Sequence, residues 1–150
     1  MSHSEIRSPE AEKQLVRHRG FAWVALCLAF AAHVVDESLT NFLSVYNPAV
    51  LAIRKRIPYL PLPTFTFEVW LAGLCLAVVV LLALTPFAFR GARWMVLLSY
   101  PYGAIMFLNG LLHFAGSIYL GRPIPGVYSA PLLLAASSYL LWATAKASHR

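Results

Sequence analysis

Four apolar stretches, at about residues 21–44, 67–89, 94–120 and 127–145, dominate this chain of 150 residues. A helix needs roughly 20 residues to cross the hydrocarbon core of a bilayer, and each stretch is near or above that length. Charged residues make up 12% of the chain and hydrophobic residues 59%. A soluble domain carries about twice that charge. Short segments with Pro, Gly and Arg separate the stretches. The prediction is an all-α integral membrane protein: a four-helix bundle over residues 21–150 with short loops and no soluble domain.

Residues 1–20 are polar and hold Arg7, Lys13, Arg17 and Arg19. They read as a disordered or interfacial tail. A small-x-small pattern at Ala29, Phe30 and Ala31 follows this basic stretch, as at a signal-peptide cleavage site. The apolar pattern runs past it, however, so the first stretch reads as a retained helix. With the N-terminus inside, the cytoplasmic side holds Arg7, Lys13, Arg17, Arg19, Arg90, Arg93, Lys146 and Arg150, and the outer side holds Arg54, Lys55, Arg56 and Arg122. Eight basic residues against four predict a multi-pass membrane protein with both termini cytoplasmic. The net charge of +6 suits anionic lipid as a partner and excludes nucleic acid, because no soluble basic face exists to hold it.

The polar residues inside the stretches are few and directed. After Glu12 the chain has only three acids, Asp36, Glu37 and Glu68, and only His33 and His113 of its five histidines fall in membrane segments. At ~1.5 Å per residue, His33 and Glu37 lie about 18 and 24 Å along the first helix, and Asn109 and His113 roughly 22 and 28 Å along the third. Glu68 sits in the first turn of the returning second helix. All of them therefore reach the same outer half of the bundle.

Within the first helix, His33 pairs with Glu37 at i,i+4 and with Asp36 at i,i+3; Thr40, Asn41 and Ser44 extend the stripe. On the third, Asn109 and His113 form a further i,i+4 pair, with Tyr102 and Ser117 on roughly the same face. A lone intramembrane histidine is usually a packed, hydrogen-bonded group, and Glu68 alone would pass for an interfacial carboxylate. Together the five groups are costly, at ~2.5–3.5 kcal/mol for each ionised residue in hydrocarbon, and such a cost points to function.

Other features carry less. Cys27 and Cys75 are single and far apart, and read as buried thiols. Trp70, Trp94, Trp142, Tyr119 and Tyr128 lie near helix ends and suit an aromatic belt. Pro101 should kink the third helix. Residues 54–65, RKRIPYLPLPTF, read as an interfacial loop ahead of a lid over the cluster. No phosphate-binding glycine loop, nucleophile elbow or cysteine-based zinc pattern is present.

The run His33-Val34-Val35-Asp36-Glu37 resembles the signature of the HXXEE-domain family of bacterial membrane proteins. The resemblance continues in NGLLHFAGSIYLGRPIPG, where Asn109, His113, Pro125 and Gly126 sit as in the family's later pattern, ahead of an apolar last helix. Asp36 replaces the first Glu of the motif, keeping the carboxylate but shortening its reach. Pro123 stands where a tyrosine is expected. The resemblance implies a membrane protein with enzymatic character and supplies no reaction.

Two function classes follow. The first is an intramembrane enzyme acting on a lipid-like or other apolar small molecule, with the adjacent Asp36 and Glu37 carboxylates supplying an acid and a base beside His33. Glu68 and His113 form the opposing wall, Asn109 orients His113 or a substrate oxygen, and Asn41, Tyr102 and Arg122 contact substrate. A variant binds zinc or iron through His33, Glu37, Glu68 and His113, ranked behind metal-free chemistry because the spacing differs from that of di-iron bundles. The second class is a non-enzymatic binding or transport protein using the cluster as a proton or cation site. No acid, His or Lys continues a relay through 21–32 or 69–89, which counts against a through-path.

Overall fold

A computed structural model describes residues 9–148, and among these residues every regular element is helical. Helix α1 (Pro9–Leu39) opens on a proline, whose missing N–H is harmless in a first turn, and Glu10 and Glu12 there meet the positive end of the helix dipole. Its 31 residues extend about 46 Å. Residues 9–20, expected as a separate polar tail, instead continue the first apolar stretch as one helix. Residues 1–8 of that tail lie outside the described residues.

α1 stops before the expected residue 44. Asn41 takes a left-handed φ of 59°, and the Phe42 N–H donates to the Glu37 carbonyl at 3.0 Å, the closing bond of a Schellman-type helix end. A second helix that the sequence reading did not contain follows at once, α2 (Leu43–Arg56), with Arg54, Lys55 and Arg56 in its last turn. The Asn47 amide brackets the backbone of Phe65, donating to its carbonyl at 2.9 Å and accepting from its N–H at 3.2 Å. Tyr46 Oη donates to the Pro63 carbonyl at 3.2 Å. The proline-rich return is thereby tied along α2.

Thr66 caps α3 (Phe67–Ala83) by accepting from the Val69 N–H. Pro86 lacks the N–H needed to carry the ladder on, so the run breaks near Leu84 and resumes as α4 (Thr85–Phe89). α5 (Arg93–Leu120) contains Pro101 and ends at Gly121, left-handed at φ 62°. α6 (Ala130–Ser148) is the last helix among the described residues. Among the described residues, three segments are long and apolar enough to cross a membrane: α1, the run 67–89, and α5. The fourth expected span forms α6, whose 19 residues include fully buried Ser137 and Thr144.

α1 is the hub, touching α3, α4, α5 and α6, while α5 and α6 pack along each other. Trp23, Leu26 and Phe30 of α1 meet Met95 and Tyr102 of α5 and Leu133 and Leu140 of α6 in the core. A Cβ on Gly110 would lie 2.9 Å from the Leu134 side chain, so the α5–α6 approach depends on a residue without one. Trp23 Nε1 donates to the Leu81 carbonyl at 3.0 Å and fastens α3 to the hub. Most of α3 stays exposed and apolar, as a lipid-facing helix should.

Two side-chain expectations change. Trp70 is buried against Phe42 and Phe67 instead of standing in an aromatic belt, whereas Trp94, Trp142, Tyr119 and Tyr128 are exposed. Both cysteines are free thiols, but Cys75 lies on the exposed face of α3 and only Cys27 is buried.

Candidate functional site

His33 and Glu37 lie one turn apart on α1, and α5 brings His113 to them from across the interior. The three are 0%, 4% and 5% exposed. Glu37 Oε1 is 3.5 Å from His33 Nε2 and 3.2 Å from His113 Nε2. The two imidazoles meet edge to face at 4.7 Å. One ligand atom from each residue falls within 4.8 Å of the others, which makes this a group able to hold a metal ion.

Asp36 does something different. Successive helical residues diverge by about 100°, so its carboxylate leaves the cluster and reaches the start of α6. There Asp36 Oδ2 accepts from the Ser129 N–H at 2.8 Å and from Ser129 Oγ at 2.7 Å. His33 Nδ1 lies 2.8 Å from the same Oγ. The hydroxyl has one hydrogen, and the charged carboxylate is a closer acceptor than the Gly126 carbonyl at 3.3 Å. Ser129 Oγ is then left to accept from His33 Nδ1–H. That assignment leaves His33 Nε2 with a bare lone pair facing Glu37 and His113, and this nitrogen makes no hydrogen bond. The acid and base of a repelling Asp36–Glu37 pair, expected from sequence, are thus not the arrangement found.

Around His113 the fit is close. Gly126 holds φ at 85°, and a Cβ there would lie 2.5 Å from His113 Cε1. No larger residue fits without moving the ring. The Phe42 ring stands 6.0 Å from that of His113 and stacks on Trp70 at 5.8 Å, giving the cluster an apolar cover where α1 turns into α2.

The other sequence candidates are distributed elsewhere. Glu68 is exposed in the first turn of α3, outside the His33–Glu37–His113 group. The shared level expected from sequence does not bring it into the group, and at a helix start its charge has a favourable dipole partner. Asn41 is the exposed left-handed residue that ends α1, a conformational role. Tyr102 belongs to the core, its ring 5.1 Å from Trp23 and its hydroxyl 3.9 Å from Cys27 Sγ. Arg122 is exposed and lines a separate cavity of about 590 Å³ with Ser117 and Tyr128. Asn109 is half-buried, and its Oδ1 makes no hydrogen bond, so it does not hold His113.

Sequence reasoning did not contain Ser129. Its place ahead of an apolar helix signals an N-cap, but nothing local announces that its hydroxyl meets Asp36 and His33, 93 and 96 residues away.

A family model described as a protein of unknown function with HXXEE motif matches residues 23–141. No curated protein and no solved structure matches the chain.

Proposed function

Since this chain belongs to the HXXEE family, whose function is unknown, we propose a function from its own site: an intramembrane enzyme in which His33, Glu37 and His113 hold a divalent metal for acid–base chemistry on a lipid-like or other apolar small molecule.

One observation carries this reading, the spacing of the three ligand atoms. A hydrogen bond between imidazole and carboxylate closes to about 2.7–2.9 Å. Ligands ~2.1 Å from a tetrahedral metal stand about 3.4 Å from one another. The observed 3.5 and 3.2 Å are longer than the first figure and bracket the second, and the ligand atoms of the two imidazoles lie within 4.8 Å of each other. The Asp36–Ser129–His33 chain supports it further, because metal-bound histidines characteristically donate their outer nitrogen to such a partner. Two imidazoles and one carboxylate suit zinc or iron and leave a coordination position open for water or substrate.

When bound, the metal would polarise a substrate oxygen or acidify a bound water. The chain's residues supply the rest. Ser129 and Asp36 fix the tautomer of His33, Glu37 brings the negative charge, and Phe42 with Trp70 covers the centre with apolar rings. A substrate passing that cover meets hydrocarbon first, which favours an apolar molecule. α1 below the cluster buries Phe30, Cys27, Leu26 and Trp23, and this apolar path favours a closed reaction chamber over a proton or cation route. In this reading α6 crosses the bilayer as the fourth helix of a bundle, and both termini are cytoplasmic in a bacterial inner membrane.

Elemental analysis of the purified protein against a His33→Ala/His113→Ala variant tests the centre. About one zinc or iron per chain, lost in the variant, is expected. Metal-free wild-type protein that resists reloading would overturn the metal centre.

A further inference from the structure

Between the end of α1 and the start of α3 the chain makes a hairpin, with α2 leading out and residues 57–66 coming back. Its base is firmly built. Phe42 stacks on Trp70, Tyr46 stacks on Phe65, and the Asn47 amide brackets the Phe65 backbone. Away from that base the hairpin leans on nothing: α2 shares no packed face with another helix, and Val50 is its buried residue. Every residue from 51 to 61 is exposed.

That exposed end is both apolar and basic. Leu51 is 51% exposed and Tyr59 86%, and Ile53 and Leu60 are open as well. Arg54, Lys55 and Arg56 stand among them, and none makes an ion pair among the described residues.

The chain has six acids, and their places leave these cations without a balancing charge. Asp36 is taken up by Ser129, and Glu37 by the two buried imidazoles. Glu10 and Glu12 occupy the first turn of α1, at the far end of a 31-residue helix. Glu5 and the C-terminal carboxylate lie outside the described residues. Each is within four residues of that far end of the bundle, a tether of about 14 Å at most. Glu68 remains, one exposed carboxylate for three cations.

Position names the partner. One root of the hairpin follows the membrane-length helix α1, the other precedes the membrane-length run 67–89, and the Phe42–Trp70 stack holds the two roots side by side. The hairpin therefore leaves the hydrocarbon and returns to it at one face of the bilayer. Open leucine, isoleucine and tyrosine side chains interleaved with cations match that boundary, where apolar groups reach acyl chains and Lys or Arg heads stay among phosphates. We propose that the 51–61 end of the hairpin is a docking surface for the bilayer interface, with its three cations on the headgroups of anionic phospholipid. This holds whether or not the His/Glu group binds a metal.

The test places a nitroxide on the full chain at Leu60→Cys and, separately, at Ile53→Cys. Cys75→Ser in both leaves only the buried Cys27 as a native thiol. Collisions with oxygen, which concentrates in lipid, are compared with collisions with a water-soluble nickel chelate. In vesicles of phosphatidylcholine with phosphatidylglycerol, both labels should favour oxygen. Changing Arg54, Lys55 and Arg56 together to Gln should move that balance toward water about a hundredfold, at roughly fivefold per cation lost. Salt at ~1 M, where screening acts over about 3 Å, should move it in the same direction without any change to the cations. Free access of nickel to both labels in these vesicles would overturn the docking surface. The same oxygen preference in phosphatidylcholine alone would overturn the anionic headgroup as partner. Dipolar coupling between labels on two chains would make a second copy the occupant and overturn the lipid.

Discussion

Asp36 and Glu37 are adjacent on α1, yet their carboxylates serve different helices. Asp36 Oδ2 receives two hydrogen bonds from Ser129 at the head of α6, whereas Glu37 Oε1 lies between the imidazoles of His33 and His113. The first ties α1 to the head of α6, and the second belongs to the buried group of His33, Glu37 and His113. This division gives the two residues different mutational signatures.

Glu37→Gln should remove bound metal and activity while leaving the fold almost unchanged. A neutral isostere takes the place of a buried charge whose retention suggests function. Were Glu37 a structural ion-pair partner, losing it would destabilise by ~3–5 kcal/mol. Thermal unfolding in detergent beside metal content decides the matter: a sharply lowered melting temperature with metal retained would make Glu37 a strut.

Ser129→Ala should lower metal affinity on the order of 10–100-fold, the usual effect of losing an outer-sphere partner. The backbone N–H of residue 129 still reaches Asp36, so α6 stays docked. Chelator competition measures the change, and Ser129→Thr, which keeps the hydroxyl, should restore most of the affinity. Unchanged affinity in Ser129→Ala would remove the tautomer argument for His33.

Gly126→Ala should displace the His113 ring and destabilise the protein by more than about 1 kcal/mol, since both the left-handed backbone and the 2.5 Å approach to Cε1 oppose a methyl group. Metal content and melting temperature should fall together. A variant with wild-type metal binding would show that His113 can be held otherwise.

Glu68→Gln should change stability by less than about 0.5 kcal/mol and leave metal content intact, as expected for an exposed residue away from special contacts. Loss of metal in this variant would return Glu68 to the centre.

Reporter fusions at the C-terminus should be active only on the cytoplasmic side, following the basic-residue count. External activity would invert the topology and open the His/Glu centre toward the cytoplasm.

The sequence by itself determined the helical class and three membrane-length segments, and its wider candidate set contained the three residues that the fold brings together, His33, Glu37 and His113. Each rests on a local property: uninterrupted apolar length for α1, 67–89 and α5, and the i,i+4 register and depth for His33, Glu37 and His113. Local properties also misled where direction mattered. Glu68, expected at the same depth, stands on an exposed face outside the group, and Asn41 continues the stripe in sequence yet turns left-handed and ends it. α2 was hidden because a short amphipathic helix beside a proline-rich segment has no distinctive length, and the return is held along it by the Asn47–Phe65 bracket and the Tyr46–Pro63 hydrogen bond. Tertiary structure alone decided that Asp36 turns away from Glu37 toward Ser129, because that choice depends on α6 arriving beside α1. Helical periodicity assigns a residue its angle around its own axis; which neighbour waits at that angle is settled only when the helices pack.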